Sequence, residues 1–269
     1  MKYAFMTFST PELSLVEALP VARRYGYDGI EPRLDDKHRH GVEVSASPGE
    51  RQKIVAATQR YGVALACLAT SCRYADPAGL DGLSVQETHE RIDLAGDVGC
   101  PRLRVFGGPF PDDPAAPGRE RAVANLVSGL SAVADHAGER GVTLCLETHD
   151  AWCDPRHVAE VLGRVDHPAV GANWDVMHPV RAKLATIDER FEILKPWIRH
   201  LHVHDADLSE GRHDRLLPIG SGDLDHRRVI ELLAGIEYDG FLSGEWIDWE
   251  PFEEHLPREL AAMRHYEDL

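Results

Sequence analysis

The chain has 269 residues, of which 43% are hydrophobic, and a formal net charge of −16 at pH 7. This length suits one α/β barrel, and the apolar fraction is sufficient for a sizeable core. No linker-like tract divides the sequence, so we expect residues 1–269 to form a single domain. The negative charge argues against a nucleic-acid backbone or an anionic membrane surface as the main partner.

The five cysteines form neither a CxxC pair nor an even disulfide framework. Three lie in or beside apolar strand-like runs, as small core residues do in a reducing compartment. The apolar stretch at residues 1–6 is too short for a signal peptide, and no segment is long and apolar enough to cross a membrane. We therefore expect a cytoplasmic protein.

Glycines recur at the ends of helical patterns, and a short apolar run follows each one. Glycine is favoured where a helix ends before the chain turns into a strand. Strands that alternate with helices at this spacing indicate right-handed βαβ units and a parallel sheet. The glycines that mark the repeat are Gly26, Gly62, Gly99 and Gly141. Eight strands are predicted near residues 3–8, 29–33, 63–69, 102–106, 143–149, 170–176, 198–204 and 240–246.

Helices are predicted between these strands. The segment 47–61 opens with Ser47-Pro48-Gly49-Glu50, which reads as an N-cap, a proline at the first helical position and a capping-box glutamate. Helices are also expected over 14–25, with a bend or interruption at Pro20, and over 119–140 and 154–164. Eight strand–helix units predict a (β/α)8 TIM barrel. A doubly wound open sheet is the alternative, but no glycine-rich phosphate fingerprint follows the first strand.

The stretch 198–205 carries three alternating histidines, His200, His202 and His204. Side chains of a strand alternate faces, so the three imidazoles point the same way. Buried imidazoles need hydrogen-bond partners, which makes this face suited to a polar cavity or a metal. A solvated edge strand is the structural alternative.

Functional groups of a TIM barrel lie at the C-terminal ends of its strands. Strands five to eight deliver Glu147, Asp175, His202 and Glu245 there. Three converging carboxylates would repel one another without a cation. Three oxygen ligands and one imidazole suit one divalent ion such as Mn²⁺, Mg²⁺ or Co²⁺, and Zn²⁺ is also compatible.

Each of these residues also has a structural interpretation. Glu147 would serve as a salt-bridge partner inside the barrel, and Asp175 as the cap of the following loop. Glu245 would then belong to a solvated rim. Further polar residues lie at or just beyond strand ends, where they would line the cavity: Glu31, Arg33, His149, His178 and His204. Arg33, Arg73 and Arg104 suit an anionic group or salt bridges at the barrel mouth.

Several motifs along nearly the whole chain resemble the sugar phosphate isomerase/epimerase family, whose members have the xylose isomerase-like TIM barrel. The motifs are 27–31 (YDGIE), 104–108 (RVFGG), 146–150 (LETHD), 175–179 (DVMHP), 200–205 (HLHVHD), 218–223 (PIGSGD) and 240–246 (GFLSGEW). As an ordered set they are specific for the superfamily and only weakly specific for the substrate.

The resemblance implies metal ligation by Glu147, Asp175, His202 and Glu245. It also implies that the two glutamates act as acid and base on either side of the substrate carbon, and that His178 binds substrate. Position 204 departs from the pattern, because many relatives have lysine there. A lysine is a permanent cation, whereas His204 is switchable near neutral pH, so recognition of a phosphate is left open.

The sequence leaves four functions to compare. The first is a metal-dependent isomerase or epimerase of a sugar or sugar derivative, which removes a proton next to a metal-polarised carbonyl through an enediolate. The second is a lyase on a keto-polyol, as in inosose and dehydroshikimate dehydratases of the superfamily. A DNA-repair endonuclease would need extra histidines after strands three and four, where the sequence has Thr70 and Gly107. The fourth is a non-catalytic carbohydrate-binding protein. We expect a small sugar or keto-polyol as partner, neither nucleic acid nor membrane, and leave a homodimer open.

Overall fold

A computed structural model describes residues 1–75, 85–111, 116, 118–181, 186–209 and 215–269. Its strands are β1 (Lys2–Met6), β2 (Gly29–Glu31), β3 (Ala64–Leu65), β4 (Leu68–Arg73), β5 (Arg102–Phe106), β6 (Thr143–Glu147), β7 (Val170–Asp175), β8 (Ile198–Val203), β9 (Asp205–Asp207), β10 (Arg215–Leu217) and β11 (Phe241–Gly244). Its helices are α1 (Leu15–Tyr25), α2 (Pro48–Tyr61), α3 (Val85–Asp97), α4 (Arg119–Glu139), α5 (Pro155–Val165), α6 (His178–Arg181), α7 (Ile187–Leu194), α8 (His226–Gly235) and α9 (Phe252–Glu267).

Nine of these strands form one parallel sheet in the order β3-β2-β1-β11-β8-β7-β6-β5-β4. A parallel bridge between Arg33 and Ala69 joins the chain just after β2 to β4. Because β3 and β4 are separated only by residues 66–67, together they fill the third of eight positions around a barrel. The predicted TIM barrel is confirmed, and the open doubly wound sheet is excluded.

The strand boundaries differ from the prediction at the second and third positions. β2 ends at Glu31 because Pro32 has no N–H to donate to a neighbouring strand. The third strand, predicted to end near residue 69, is interrupted after Leu65 and then continues to Arg73. The hairpin formed by β9 and β10 was not predicted, since each of its strands has only three residues.

Helices α1 to α4 end within two residues before the glycines that mark the repeat. Gly26 and Gly62 end α1 and α2 in the left-handed region, with φ of 91° and 63°, which explains why glycine occupies these positions. The capping box of Ser47 and Glu50 is formed. Of the bend or interruption expected at Pro20, the interruption is wrong, because α1 runs continuously through this residue. The Val16 side chain, one turn earlier, is exposed, so the carbonyl that Pro20 leaves unbonded lies on a face that water can solvate.

The barrel interior is apolar at the N-terminal end of the strands and polar at their C-terminal end. At the N-terminal end of the strands, Ala4, Ala66 and Phe241 form a small apolar cluster separate from the main core. The main core lies between strands and helices, where Trp174 of β7, for example, packs against Phe191 of α7. Toward the C-terminal end of the strands the interior becomes polar. Fully buried polar residues there include Glu31, Asn173, His200, His202 and Ser243. This polar end positions the site.

Candidate metal centre and active site

Four side chains from adjacent barrel positions converge at the C-terminal end of the strands. Glu147 and Asp175 are the last residues of β6 and β7, His202 lies on β8, and Glu245 directly follows β11. The parallel register pairs Asp175 and Ser243 each with His202, so these residues lie at one level of the barrel. One potential ligand atom from each of the four lies within 4.8 Å of the others, and all four residues are buried. The structure therefore brings the predicted quartet together.

The carboxylate of Glu147 lies between His202 and Arg104. Its Oε1 lies 2.6 Å from Nδ1 of His202, and its Oε2 lies 3.3 Å from Nε of Arg104. Burial opposes ionisation of this carboxyl, but the charges of Arg104 and His202 outweigh it and lower its pKa. The salt-bridge interpretation of Glu147 and its membership of the quartet are therefore compatible.

Asp175 combines both interpretations suggested by the sequence. Its Oδ1 accepts hydrogen bonds from the backbone N–H groups of Met177 (2.8 Å) and His178 (3.0 Å), so it caps the following loop. Its Oδ2 lies 3.1 Å from Nε2 of His204. Burial opposes ionisation, but His204 and His178 outweigh it and lower the pKa of Asp175. The loop that carries His178 is thereby tied to the quartet.

Among the described residues, Glu245 has fewer polar contacts than the other two carboxylates of the quartet. Its Oε2 lies 3.4 Å from Nδ1 of His202 and has no hydrogen-bond partner within the described part of the chain. Burial opposes ionisation, yet the interaction with His202 lowers the pKa of Glu245 to about 2. Burial disfavours the charged form of His202, but Glu31, Glu147 and Glu245 outweigh it and raise the pKa of His202 well above the usual range.

The residues present fit a hard divalent cation. Three carboxylates and one imidazole nitrogen form the donor set, which suits Mn²⁺, Mg²⁺, Co²⁺ or Zn²⁺. Two buried oxygens form no hydrogen bond among the described residues and have only a longer charged contact: Oε2 of Glu147 lies 3.3 Å from Nε of Arg104, and Oε2 of Glu245 lies 3.4 Å from Nδ1 of His202. Buried polar atoms are rarely left unpaired, so their presence together points to a ligand at this place.

A cavity of about 220 Å³ opens beside the quartet. The rings of His149 and His178 pack against each other in it, with centroids 4.0 Å apart and planes at 54°, and His149 also packs on Phe106 at 5.0 Å. Burial disfavours the charged form of His149, but Asp150, Glu147 and Glu245 raise its pKa to about 9. The cavity is lined by His149, Met177, His178, His204, Leu216, Glu245 and Ile247.

Two predicted substrate contacts, Glu31 and Arg33, do not line this cavity. Glu31 is fully buried, and its two carboxylate oxygens lie beside His200 and His202. The Arg33 guanidinium donates to the carbonyls of Leu34 and Ala69 and to the hydroxyl of Ser71 at 2.8 Å. The sequence placed both residues at a strand end but gave no information on what would face them across the barrel.

Asp205 is a further organising residue that the sequence showed only as the end of a histidine run. Its carboxylate accepts hydrogen bonds from the backbone N–H groups of Ala206, Gly220, Gly222 and Leu224. A Cβ at position 222 would collide with this carboxylate, which explains a glycine there. The contacts hold the loop 218–224 against β9, and Leu216 of the partner strand β10 is one of the residues that line the cavity.

The family can be assigned on this geometry together with a comparison of sequences. A family model described as xylose isomerase-like TIM barrel matches residues 19–266. The chain belongs to this family. The resemblance seen in the sequence motifs is thereby confirmed.

Proteins of similar sequence include an epimerase and an uncharacterized protein. L-ribulose-5-phosphate 3-epimerase UlaE of Salmonella paratyphi B is 24% identical over 258 residues, 93% of this chain and 88% of that protein. An uncharacterized protein of Methanocaldococcus jannaschii, MJ1311, is 29% identical over 127 residues, so the match spans 45% of this chain and 42% of that protein. The first match supports an enzyme related to sugar epimerases.

Solved structures show the same fold. The probable 3-DHS dehydratase AsbF from Bacillus anthracis superposes with a TM-score of 0.76 at 19% identity, over 98% of this chain and 99% of that one. D-psicose 3-epimerase, crystallised in the presence of D-fructose, gives a TM-score of 0.80 at 16% identity, over 99% of both chains. At these identities the likeness concerns the barrel alone.

No helix among the described residues is long and apolar enough to span a bilayer.

Proposed function

We propose that this protein is a metal-dependent isomerase or epimerase of a sugar or sugar derivative. The observation that carries the proposal is the arrangement of Glu147 and Glu245. They come from different barrel positions, belong to one buried quartet, and each has a carboxylate oxygen without a hydrogen-bond partner among the described residues. Two such carboxylates approach a small substrate from different sides, which suits proton removal and return at one carbon.

The quartet of Glu147, Asp175, His202 and Glu245 would hold one divalent cation, Mn²⁺, Mg²⁺, Co²⁺ or Zn²⁺. When bound, the cation would supply Lewis-acid polarisation of a substrate carbonyl, which acidifies the neighbouring carbon. Asp175 orients the loop of His178 through its backbone N–H bonds. Arg104 keeps Glu147 ionised in a buried place. These contacts fix the geometry before the substrate binds.

Glu147 and Glu245 carry out the proton transfers to and from the substrate. Both have lowered pKa values and are therefore ionised at neutral pH, the state that a general base requires. One ionised glutamate removes the proton next to the carbonyl to give an enediolate, the other glutamate takes a proton from solvent and delivers it to the enediolate, and the first glutamate then releases its proton to solvent. A proton returned to the same carbon on its opposite face gives an epimer, and a proton delivered to the neighbouring carbon gives an isomer.

His149, His178 and His204 would bind the substrate oxygens, because all three line the cavity. The cavity volume of about 220 Å³ is below the roughly 300–1,000 Å³ typical of sites for drug-sized ligands. It therefore favours a compact substrate such as a monosaccharide or a keto-polyol. We propose the same class of small molecule as the protein's main partner.

A substrate screen tests this proposal. The purified protein, loaded in turn with each of the four cations, is incubated with a panel of free and phosphorylated ketoses and keto-polyols, and products are separated by chromatography. Reversible formation of an isomer or epimer supports the proposal. Water loss, seen as enone absorbance, would instead establish a lyase. Conversion of no panel member by any loaded form would contradict both functions.

A further inference from the structure

We propose that Glu31 is a positioning residue that determines which nitrogen of His202 faces the metal site. This replaces the expectation that Glu31 contacts substrate, and it rests on the metal-dependent function proposed above. Glu31 ends β2, is fully buried, and is fixed by the pairing of Met6 in β1 with Glu31 itself. Its Oε1 lies 3.1 Å from Nε2 of His202.

The two nitrogens of His202 face different groups. Nδ1 lies 2.6 Å from Glu147 and 3.4 Å from Glu245, whereas Nε2 faces Glu31. An ionised carboxylate only accepts hydrogen bonds, so with a cation in the quartet the ring of His202 would keep its proton on Nε2, beside Glu31, and would present Nδ1 to the cation. A carboxylate behind a ligand histidine fixes the ring and raises its basicity as a ligand.

His200 holds Glu31 in this position from below. Its Nε2 lies 2.7 Å from the second oxygen of Glu31, and the rings of His200 and His202 are 5.5 Å apart at 82°. Glu31 thus lies within hydrogen-bond distance of Nε2 of both rings, and it accepts two N–H groups when both rings carry a proton on Nε2. A glutamine at position 31 has one accepting and one donating end, so one of the two N–H groups would face another donor. The change Glu31→Gln therefore disturbs the pair while nearly preserving its shape.

The experiment compares cation affinity in the wild type, Glu31→Gln and the matched control His200→Gln. Titration calorimetry of the metal-free proteins with Mn²⁺ should show a 10- to 100-fold loss of affinity in Glu31→Gln, the usual effect of removing an outer carboxylate. His200→Gln should remain close to wild type, because its amide still donates to Glu31. The visible spectrum of bound Co²⁺ should change in Glu31→Gln alone, which a packing defect outside the ligand shell would not produce.

Several outcomes would overturn the role of Glu31. Unchanged affinity and Co²⁺ spectrum in Glu31→Gln would do so, as would equal losses in Glu31→Gln and His200→Gln. The ligand atoms of Glu31, Cys67 and His200 also lie within 4.8 Å of one another. A stoichiometry of two cations that falls to one in both Glu31→Gln and Cys67→Ser would make Glu31 a ligand itself and refute the proposal.

A second measurement covers a variant that does not fold. Nitrogen NMR of the Zn²⁺-loaded wild type identifies the protonated nitrogen of His202. A proton on Nε2 supports the proposal, and a proton on Nδ1 overturns it. The function is tested separately: a protein with the predicted Glu31 effect that converts no sugar would refute the isomerase and keep the role of Glu31. A wild type that binds no divalent cation would refute both.

Discussion

Arg104 and Glu147 form a buried ion pair inside the barrel, with 3.3 Å between Nε of Arg104 and Oε2 of Glu147 and 1% exposure of each side chain. Arg104 is held in turn by the carbonyl of Thr70, at 2.8 Å, and by the ring of Phe106, whose centroid is 3.9 Å from the guanidinium carbon. The pair places a fixed positive charge behind one carboxylate of the quartet.

We expect Arg104→Met to lower the free energy of unfolding of the metal-free protein by about 3–5 kcal/mol, because it leaves Glu147 buried without its counter-charge. The double variant Arg104→Met with Glu147→Leu should lose less than Arg104→Met alone. Denaturant unfolding in the presence of a chelator measures both. A double variant as unstable as the sum of the single ones would show that the two side chains do not interact.

Asp175→Asn should abolish tight cation binding while the fold persists. The amide oxygen can still accept the N–H groups of Met177 and His178, so the loop cap survives, but the anionic ligand is gone. We expect the affinity for Mn²⁺ to fall by more than about 100-fold, beyond the usual effect of an outer-shell change. Calorimetry and circular dichroism check this, with Asp188→Asn on the exposed face of α7 as control. Wild-type affinity in Asp175→Asn would remove Asp175 from the ligand set.

His178→Ala should weaken catalysis and leave the cation in place. The ring lines the cavity and packs against His149, whereas the hydrogen bond to Asp175 is made by the backbone N–H, which alanine retains. Loss of one hydrogen bond to substrate predicts a roughly tenfold fall in kcat/KM. Metal analysis alongside steady-state kinetics tests this, and His167→Ala, remote from the cavity, is the control. Disappearance of the cation from His178→Ala would make His178 a ligand.

A pH effect on stability is expected from His255, which is buried between Trp246 and Trp249 with both ring nitrogens unpartnered among the described residues. Burial and the nearby Arg258, partly offset by Glu250, lower the pKa of His255 to about 4. The unfolded chain, with an ordinary histidine pKa of about 6.5, binds the extra proton first as pH falls. The free energy of unfolding contributed by this group is therefore full above pH 6.5 and is lost as pH falls toward 4.

The matched variant is His255→Phe, which keeps a ring between the two tryptophans. After allowance for solvent screening near the barrel periphery, we expect its stability to decline by about 1–2 kcal/mol less than that of the wild type between pH 6.5 and 4. Denaturant unfolding at stepped pH measures the difference. Parallel curves for the two proteins would show that His255 titrates normally in the fold.

The barrel could be predicted from the sequence because the patterns that mark its helices and strands are local. Gly26 and Gly62 mark helix ends by their left-handed backbone, and period-two alternation places His200, His202 and His204 on one face. The C-terminal ends of parallel strands then bring Glu147, Asp175 and Glu245 to one level without any knowledge of tertiary contacts. The described residues confirm this convergence.

Contacts between side chains on opposite sides of the barrel could not be predicted from the sequence. The sequence assigned Glu31 and Arg33 to the cavity because both lie at a strand end, but depth in the interior depends on the register of strands far apart in the chain. Glu31 faces His200 and His202, 169 and 171 residues later, and Arg33 is bound by backbone carbonyls and Ser71. The place of Leu216 in the cavity lining was also missed, since a strand of three residues carries no readable periodicity.

Solvent labelling during turnover tests the central claim, that Glu147 and Glu245 move a proton next to the substrate carbonyl. Once the screen yields a substrate, the reaction is run in D₂O and product and recovered substrate are analysed by NMR and mass spectrometry. We predict deuterium on the carbon next to the carbonyl, with partial labelling where one shielded glutamate returns its own proton. Complete conversion with no deuterium in either molecule, and with full transfer of a deuterium placed in the substrate, would contradict the account and indicate a hydride shift.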